Sequence, residues 1–196
     1  YTLKATVSAQ FTDVKEGAWY YDYVMQAAAA GIVNGKGNGI FDPEGNVTRR
    51  DFALMTARML NADTSSYTTS PFKDVNDNDY ALGAIAYCYD KKIIGGYEDG
   101  TFRPDANISR EEAAKIVCVA LGLSEVKNPT ETFKDDAKIQ NWAKGYVYAC
   151  KEAGIFGGDN GNFLPGNPIT RAETAKVMVI SMNLSLIHIS EPTRPY

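Results

Sequence analysis

Histidine is almost missing from this chain. Among 196 residues the only one is His188, so imidazole catalysis and histidine-based metal sites have almost nothing to work with. Cysteine is scarce too. Cys88, Cys118 and Cys150 are an odd number without CxxC spacing, which argues against a disulfide framework. No apolar run approaches the roughly 20 residues of a membrane span; the longest are short stretches such as Met178-Val179-Ile180. Positive charge is not in excess either. Twenty Lys plus Arg against 24 Asp plus Glu leave a net charge of −4, and no basic run follows a phosphate backbone, which argues against nucleic-acid binding. What remains is the composition of a globular protein, 44% hydrophobic, 11% aromatic and 22% charged, able to bury a core. Residues 1–10 read as a linker or as the remnant of a removed export signal, because Val7-Ser8-Ala9-Gln10 offers the small residues that signal peptidase prefers.

Internal repetition sets the organisation. Phe11-Thr12-Asp13-Val14 returns as Phe72-Lys73-Asp74-Val75 and as Phe133-Lys134-Asp135-Asp136, each 61 residues on. Phe41-Asp42-Pro43, Phe102-Arg103-Pro104 and Phe163-Leu164-Pro165 keep the offset, as do Thr48-Arg49, Ser109-Arg110 and Thr170-Arg171. Three copies of one unit therefore span 11–62, 72–123 and 133–183. Asn61 to Pro71, rich in Ser and Thr, and Leu123 to Thr132, containing Pro129, read as linkers.

Each unit reads as helix, glycine-rich loop, helix. The first helix begins at an aromatic, Trp19, Tyr80 or Trp142, and in the third copy Trp142, Tyr146, Ala149, Cys150 and Ala153 fall on one apolar stripe. The cysteines occupy apolar positions and read as small buried hydrophobes. The loop then carries Gly35, Gly96 and Gly158 among further glycines, suited to turns with positive φ that return Phe41, Phe102 and Phe163 to the core. No Gly-Lys-Ser/Thr follows, so a phosphate cradle is a poor match.

The second helix opens with Thr48-Arg49-Arg50-Asp51, Ser109-Arg110-Glu111-Glu112 or Thr170-Arg171-Ala172-Glu173, a hydroxyl N-cap with an acid three residues on. The cap does not explain the arginine. A cation in a helix's first turn opposes the macrodipole at about 0.3–1 kcal/mol, so Arg49, Arg110 and Arg171 need a partner. Two readings stay open: an external anion held by the guanidinium and the helix amides, or an internal bridge to Asp13, Asp74 and Asp135. Asp74 to Asp79 opens like a calcium loop, but Asp79 replaces its glycine and Ile85 its closing glutamate. Because the distinctive polar residues come in threes, multivalent binding fits better than a single catalytic centre. No catalytic residue, metal or cofactor is assigned.

At these residues the chain resembles the S-layer homology (SLH) family. Trp142-Ala143-Lys144-Gly145-Tyr146-Val147, Gly95-Gly96-Tyr97-Glu98-Asp99-Gly100-Thr101-Phe102-Arg103-Pro104 and Ile169-Thr170-Arg171-Ala172-Glu173 match that family's elements in order, across residues 11–183. The resemblance implies an all-α, pseudo-threefold assembly with a central bundle of second helices and three prongs of first helices. It further implies an exported, non-enzymatic module at the cell wall or S-layer, anchored non-covalently to secondary cell-wall polysaccharide bearing an acidic, pyruvylated sugar. By position, Arg49, Arg110 and Arg171 would hold the acid, and Trp19, Tyr80 and Trp142 would mark the sugar-lining position. Gly35, Gly96 and Gly158 would admit the ligand to the backbone, and Asp13, Asp74 and Asp135 would order the groove. For the tryptophans, packed core is the competing reading; for the whole module it is contact between neighbouring surface-layer subunits. The second copy departs at Tyr80 and Ala84, the first at Arg50-Asp51. Leu184 to Arg194 resembles a translated sequencing adaptor, which makes 184–196 an expected non-native, disordered tail.

Overall fold

The computed structural model describes residues 11–190, with side chains placed through residue 186; the expectations for residues 1–10 and 191–196 lie outside it. Six α-helices form three pairs: α1 (Tyr21–Ala29) with α2 (Arg49–Met59), α3 (Leu82–Asp90) with α4 (Arg110–Ala120), and α5 (Asn141–Glu152) with α6 (Arg171–Ser190). A single 3₁₀ turn, Asp136–Lys138, precedes α5. Among the described residues there is no strand, only isolated β-bridges, so the expected helical class is observed.

The second helices start at the hydroxyl caps. The hydroxyls of Thr48, Ser109 and Thr170 accept the amides of Asp51, Glu112 and Glu173, each at 3.2 Å. Glu112 and Glu173 return the favour to the amides of Ser109 and Thr170 at 2.9 Å. Asp51 is one methylene shorter, and α2 has the forward bond alone.

The pairs close on one another in a circle. Helix α3 packs on α2, α5 on α4, and α1 on α6, so each first helix lies against the second helix of the preceding repeat, and the first repeat completes the circle with the last. At the centre, where α2 meets α4 and α6, the repeats are joined by backbone. The Val47 amide donates to the Ile169 carbonyl at 3.1 Å, Ile169 to Ile108 at 3.1 Å, and Ile108 to Val47 at 3.0 Å. All three residues are buried. A closed ring of this kind leaves none of the three amides orphaned in the core.

Around the ring, the first two amides of each second helix are satisfied by the next repeat. Arg49 and Arg50 donate to Ala106 and Pro104, Arg110 and Glu111 to Asn167 and Pro165, and Arg171 and Ala172 to Gly45 and Pro43, all at 2.8–3.1 Å. With the third amide bound to the hydroxyl cap, the amides needed for a helix-terminal anion site are occupied. That element of the anion reading is corrected.

Other expectations are adjusted by packing. On α5 the buried face runs through Ala143, Val147 and Cys150, while Trp142 is exposed. The linkers are straps: Val126 donates to Gly145 O at 3.0 Å, and Tyr67 packs edge-on against Tyr87 and donates to Asp90 at 2.8 Å. The three thiols are free and buried, and burial pushes Cys88 up to about 12. At the C-terminal end, α6 continues through Leu184 to Ser190, so this part of the expected tail is helical rather than disordered. Leu184 packs against the core, and no helix breaker stands before Pro192.

Because α1 finds its partner in α6, the first helix pair lacks the surface its apolar face needs. Residues 11–62 expressed alone should show no cooperative melt by circular dichroism. A cooperative helical transition from that fragment would contradict circular closure.

Candidate functional site

Circular packing creates grooves to which all three repeats contribute. In the second-loop groove, Arg49 at the start of α2 meets Gly96 and Tyr97 of the second loop, Glu112 and Lys115 of α4, and Trp142 of α5, around a cavity of about 200 Å³. Its threefold counterpart, the third-loop groove, joins Arg110 to Gly158 and Asp159, to Glu173 and Lys176 of α6, and to Trp19, around about 340 Å³. Trp142 is 43% exposed and Trp19 56%. Their packed-core reading is therefore excluded, since each ring forms a groove wall.

The arginines are clasps between repeats. Arg49 Nε donates to Phe102 O at 2.8 Å and Nη1 pairs with Glu112 at 3.1 Å. Arg110 repeats this with Phe163 O at 2.7 Å and with Glu173. Arg171 Nε donates to Phe41 O at 2.7 Å and Nη2 to Asn34 O at 2.6 Å. Their exposure is only 6–8%. The proposed internal bridge thus exists in a different form, crossing to the next repeat instead of reaching Asp13, Asp74 or Asp135. Glu112 and Glu173 each serve twice, closing their own helix and receiving the neighbour's guanidinium.

The three aspartates instead order the loops. Asp13 accepts the amides of Phe41 and Asp42 at 2.8 and 2.7 Å, Asp74 those of Phe102 and Arg103 at 2.8 Å each, and Asp135 those of Phe163 and Leu164 at 2.7 and 2.8 Å. Burial pushes Asp13 up, but the Phe41 and Asp42 amides outweigh it and hold the carboxyl below its ordinary range. The second amide in each pair comes from a residue with positive φ, Asp42, Arg103 or Leu164, a backbone geometry that the carboxylate stabilises.

The loop glycines are required by internal packing. A Cβ on Gly35 would lie 2.7 Å from the Phe11 ring and 2.9 Å from Ile40 O; on Gly158, 2.8 Å from Phe133 and 2.6 Å from Asn162 O. Gly96 meets Phe72 and Thr101 O in the same way. Gly96 and Gly158 also line the grooves.

With the arginines engaged, the available groove cations are Lys115 and Lys176. Neither has a carboxylate partner among the described residues. Lys115 Nζ lies 5.5 Å from the Trp142 ring centre and 5.6 Å from that of Tyr146, and Lys176 Nζ lies 5.9 Å from Tyr23. Sequence reasoning passed over both lysines. The signal was their shared place three residues after Glu112 and Glu173, where the first copy has Leu54 after Asp51.

The corresponding position at the first loop is built differently. Leu54 replaces the lysine, Asp51 accepts the Tyr80 hydroxyl, and Tyr80 itself is 66% exposed. Desolvation and the Asp51 bond push the Tyr80 phenol up to about 12. Arg50, peculiar to this copy, pairs with Asp79 at 2.8 Å and Asp105 at 2.6 Å, 5.4 Å from the Tyr80 ring centre. Among the described residues no group of three His, Cys, Asp or Glu is placed to hold a metal, and no helix is long and apolar enough to cross a membrane.

Removing the Arg110 side chain strands the Phe163 carbonyl and the Glu173 carboxylate at a repeat boundary. Arg110→Ala should cost about 2 kcal/mol and lower Tm by several degrees. An unchanged thermal melt would show that the clasp is dispensable to folding.

The S-layer homology domain matches residues 10–53, 71–114 and 132–175. The chain is 33% identical over 177 residues to an exoglucanase, XynX, of Acetivibrio thermocellus, covering 87% of this chain and 16% of that protein. It is 34% identical over 155 residues to a cellulosome-anchoring protein of the same organism, covering 76% of this chain and 35% of the relative. It is 30% identical over 175 residues to a surface-layer 125 kDa protein of Lysinibacillus sphaericus, covering 87% and 15%. The chain thus spans a small part of each of these relatives. Three matches at the repeat positions established by the fold place the chain in the S-layer homology domain family.

Proposed function

We propose that this chain anchors an exported protein non-covalently to the bacterial cell wall, holding an acidic, pyruvylated wall polysaccharide in the grooves between its repeats. The observation that carries the reading is the shared make-up of the second- and third-loop grooves: an exposed tryptophan, a lysine without a carboxylate partner and a glycine turn. A sugar ring stacks on the indole, and its carboxylate meets the ammonium in a charge-assisted contact worth about 1.5–3 kcal/mol. Arg49 and Arg110, paired with Glu112 and Glu173, hold the groove walls and leave the lysine as the cation free to meet a ligand. Use of more than one groove on the same polymer raises avidity without further contacts.

Relatives named as a cellulosome-anchoring protein and a surface-layer protein support a place at the cell surface. The exoglucanase relative is matched over only 16% of its length, which supports assigning its catalysis to sequence outside the shared part. The chain itself acts as a binding module.

Lys176→Met keeps the aliphatic stem and removes the charge. It should weaken co-sedimentation with Gram-positive wall sacculi about ten-fold, with Tm unchanged, and wild-type binding should fall with rising salt. Mild-acid removal of the pyruvyl ketals should abolish sedimentation. Full binding to ketal-free sacculi, by variant and wild type alike, would overturn the reading; self-association in the same assay would favour a surface-lattice contact module.

A further inference from the structure

The second-loop groove does not end at Lys115. A further cavity of about 440 Å³ shares Ile93, Ile94, Gly95 and Lys115 with it and extends to Tyr89, Asp90 and Lys92. Tyr89 is 46% exposed, with its ring held edge-on by Phe72 at 5.0 Å between centroids, so a fixed aromatic surface faces outward. Asp90 is already occupied, accepting the Tyr67 hydroxyl at 2.8 Å and pairing with Lys91 at 3.4 Å. Lys92 and Lys115 have no carboxylate partner among the described residues. Two lysines against one engaged carboxylate therefore leave the cavity lining with a net positive charge.

Lys92 has a second distinction. It adopts φ +60°, where the corresponding residues of the other repeats are Gly31 at +72° and Gly154 at +74°. Glycine takes this conformation freely and a lysine does not, so the backbone alone favours glycine. The other copies also lack the aromatic: Ala28 and Lys151 stand in place of Tyr89, and Lys151 pairs with Glu131 at 3.3 Å. The aromatic and the cation thus occur together only in the second repeat, beside a groove already equipped for an acidic sugar.

We propose that this cavity is a second glycan subsite, which takes the sugar residue adjoining the one in the second-loop groove and holds an anionic substituent on it between Lys92 and Lys115, with Tyr89 as the stacking surface. The proposal rests on the glycan reading given above and adds a chain-length requirement: at this groove, two consecutive residues of the polymer are held instead of one. Lys115 is the wall common to both compartments and serves both sugars.

Two probes separate the compartments, each titrated calorimetrically into the whole chain in a Lys176→Met background that silences the third-loop groove: the methyl glycoside of a pyruvylated N-acetylhexosamine, and polysaccharide released by muramidase from Acetivibrio thermocellus sacculi. Lys92→Gly restores the glycine of the other repeats and should melt no lower than wild type. It should bind the polysaccharide about ten-fold more weakly and the monosaccharide within two-fold of the Lys176→Met parent. Lys115→Met should weaken both. Parental affinity of Lys92→Gly for the polysaccharide, or an equal loss for both probes, would overturn the second subsite while leaving the groove's glycan role standing. A wild-type chain that binds neither probe would overturn the glycan reading and the subsite with it.

Discussion

Three backbone hydrogen bonds, from Val47 to Ile169, Ile169 to Ile108 and Ile108 to Val47, are the constraint on which the rest of the molecule depends. Each lies just before a second helix, so joining these residues fixes where α2, α4 and α6 begin. Once those starts are fixed, the loop of the next repeat covers the first helix amides, and its Phe102, Phe163 or Phe41 carbonyl receives the arginine. The same step brings each first helix onto the preceding second helix and sets the tryptophans beside the loops. Folding and groove formation are thus one event at the second and third loops, because both of those grooves draw on all three repeats.

The repeats are alike in backbone and unlike in chemistry. At the first-loop position, Asp51 is too short for the capping-box return bond, and Leu54 removes the lysine. Arg50 and Tyr80 are tied up with carboxylates, and the side-chain hydrogen bonds of Arg171 among the described residues go to carbonyl oxygens. A fold held by backbone tolerates such changes. Side-chain divergence can then tune one groove for a longer ligand segment and another for internal bonding, without altering the circle.

Much of this was legible before the structure. The 61-residue period located the repeats, the hydroxyl and acid pairs located α2, α4 and α6, and a misplaced first-turn cation identified Arg49, Arg110 and Arg171 as residues needing a partner. The partner itself was not legible: Glu112 lies 63 residues from Arg49, and the linear reading offered only an external anion or the aspartates Asp13, Asp74 and Asp135. Trp142 carried two readings, because an indole at helical spacing also reads as core; which one holds depends on a cavity lined by the other two repeats. Lys115 and Lys176 went unnoticed because a lone lysine on a helix is ordinary; only the engagement of the arginines gives it a role. Gly96 and Gly158 read as ligand-admitting positions, whereas Phe72 and Phe133 fill the space that a Cβ would need.

Native-state hydrogen exchange at three amides tests circular closure most directly. If the ring is the shared keystone, Val47, Ile108 and Ile169 exchange only through global unfolding, with equal protection free energies matching the stability measured by denaturant. Protection that differs among the three by more than about 1 kcal/mol, with one amide exchanging through local opening of its own repeat, would contradict the account and show three units that fold side by side.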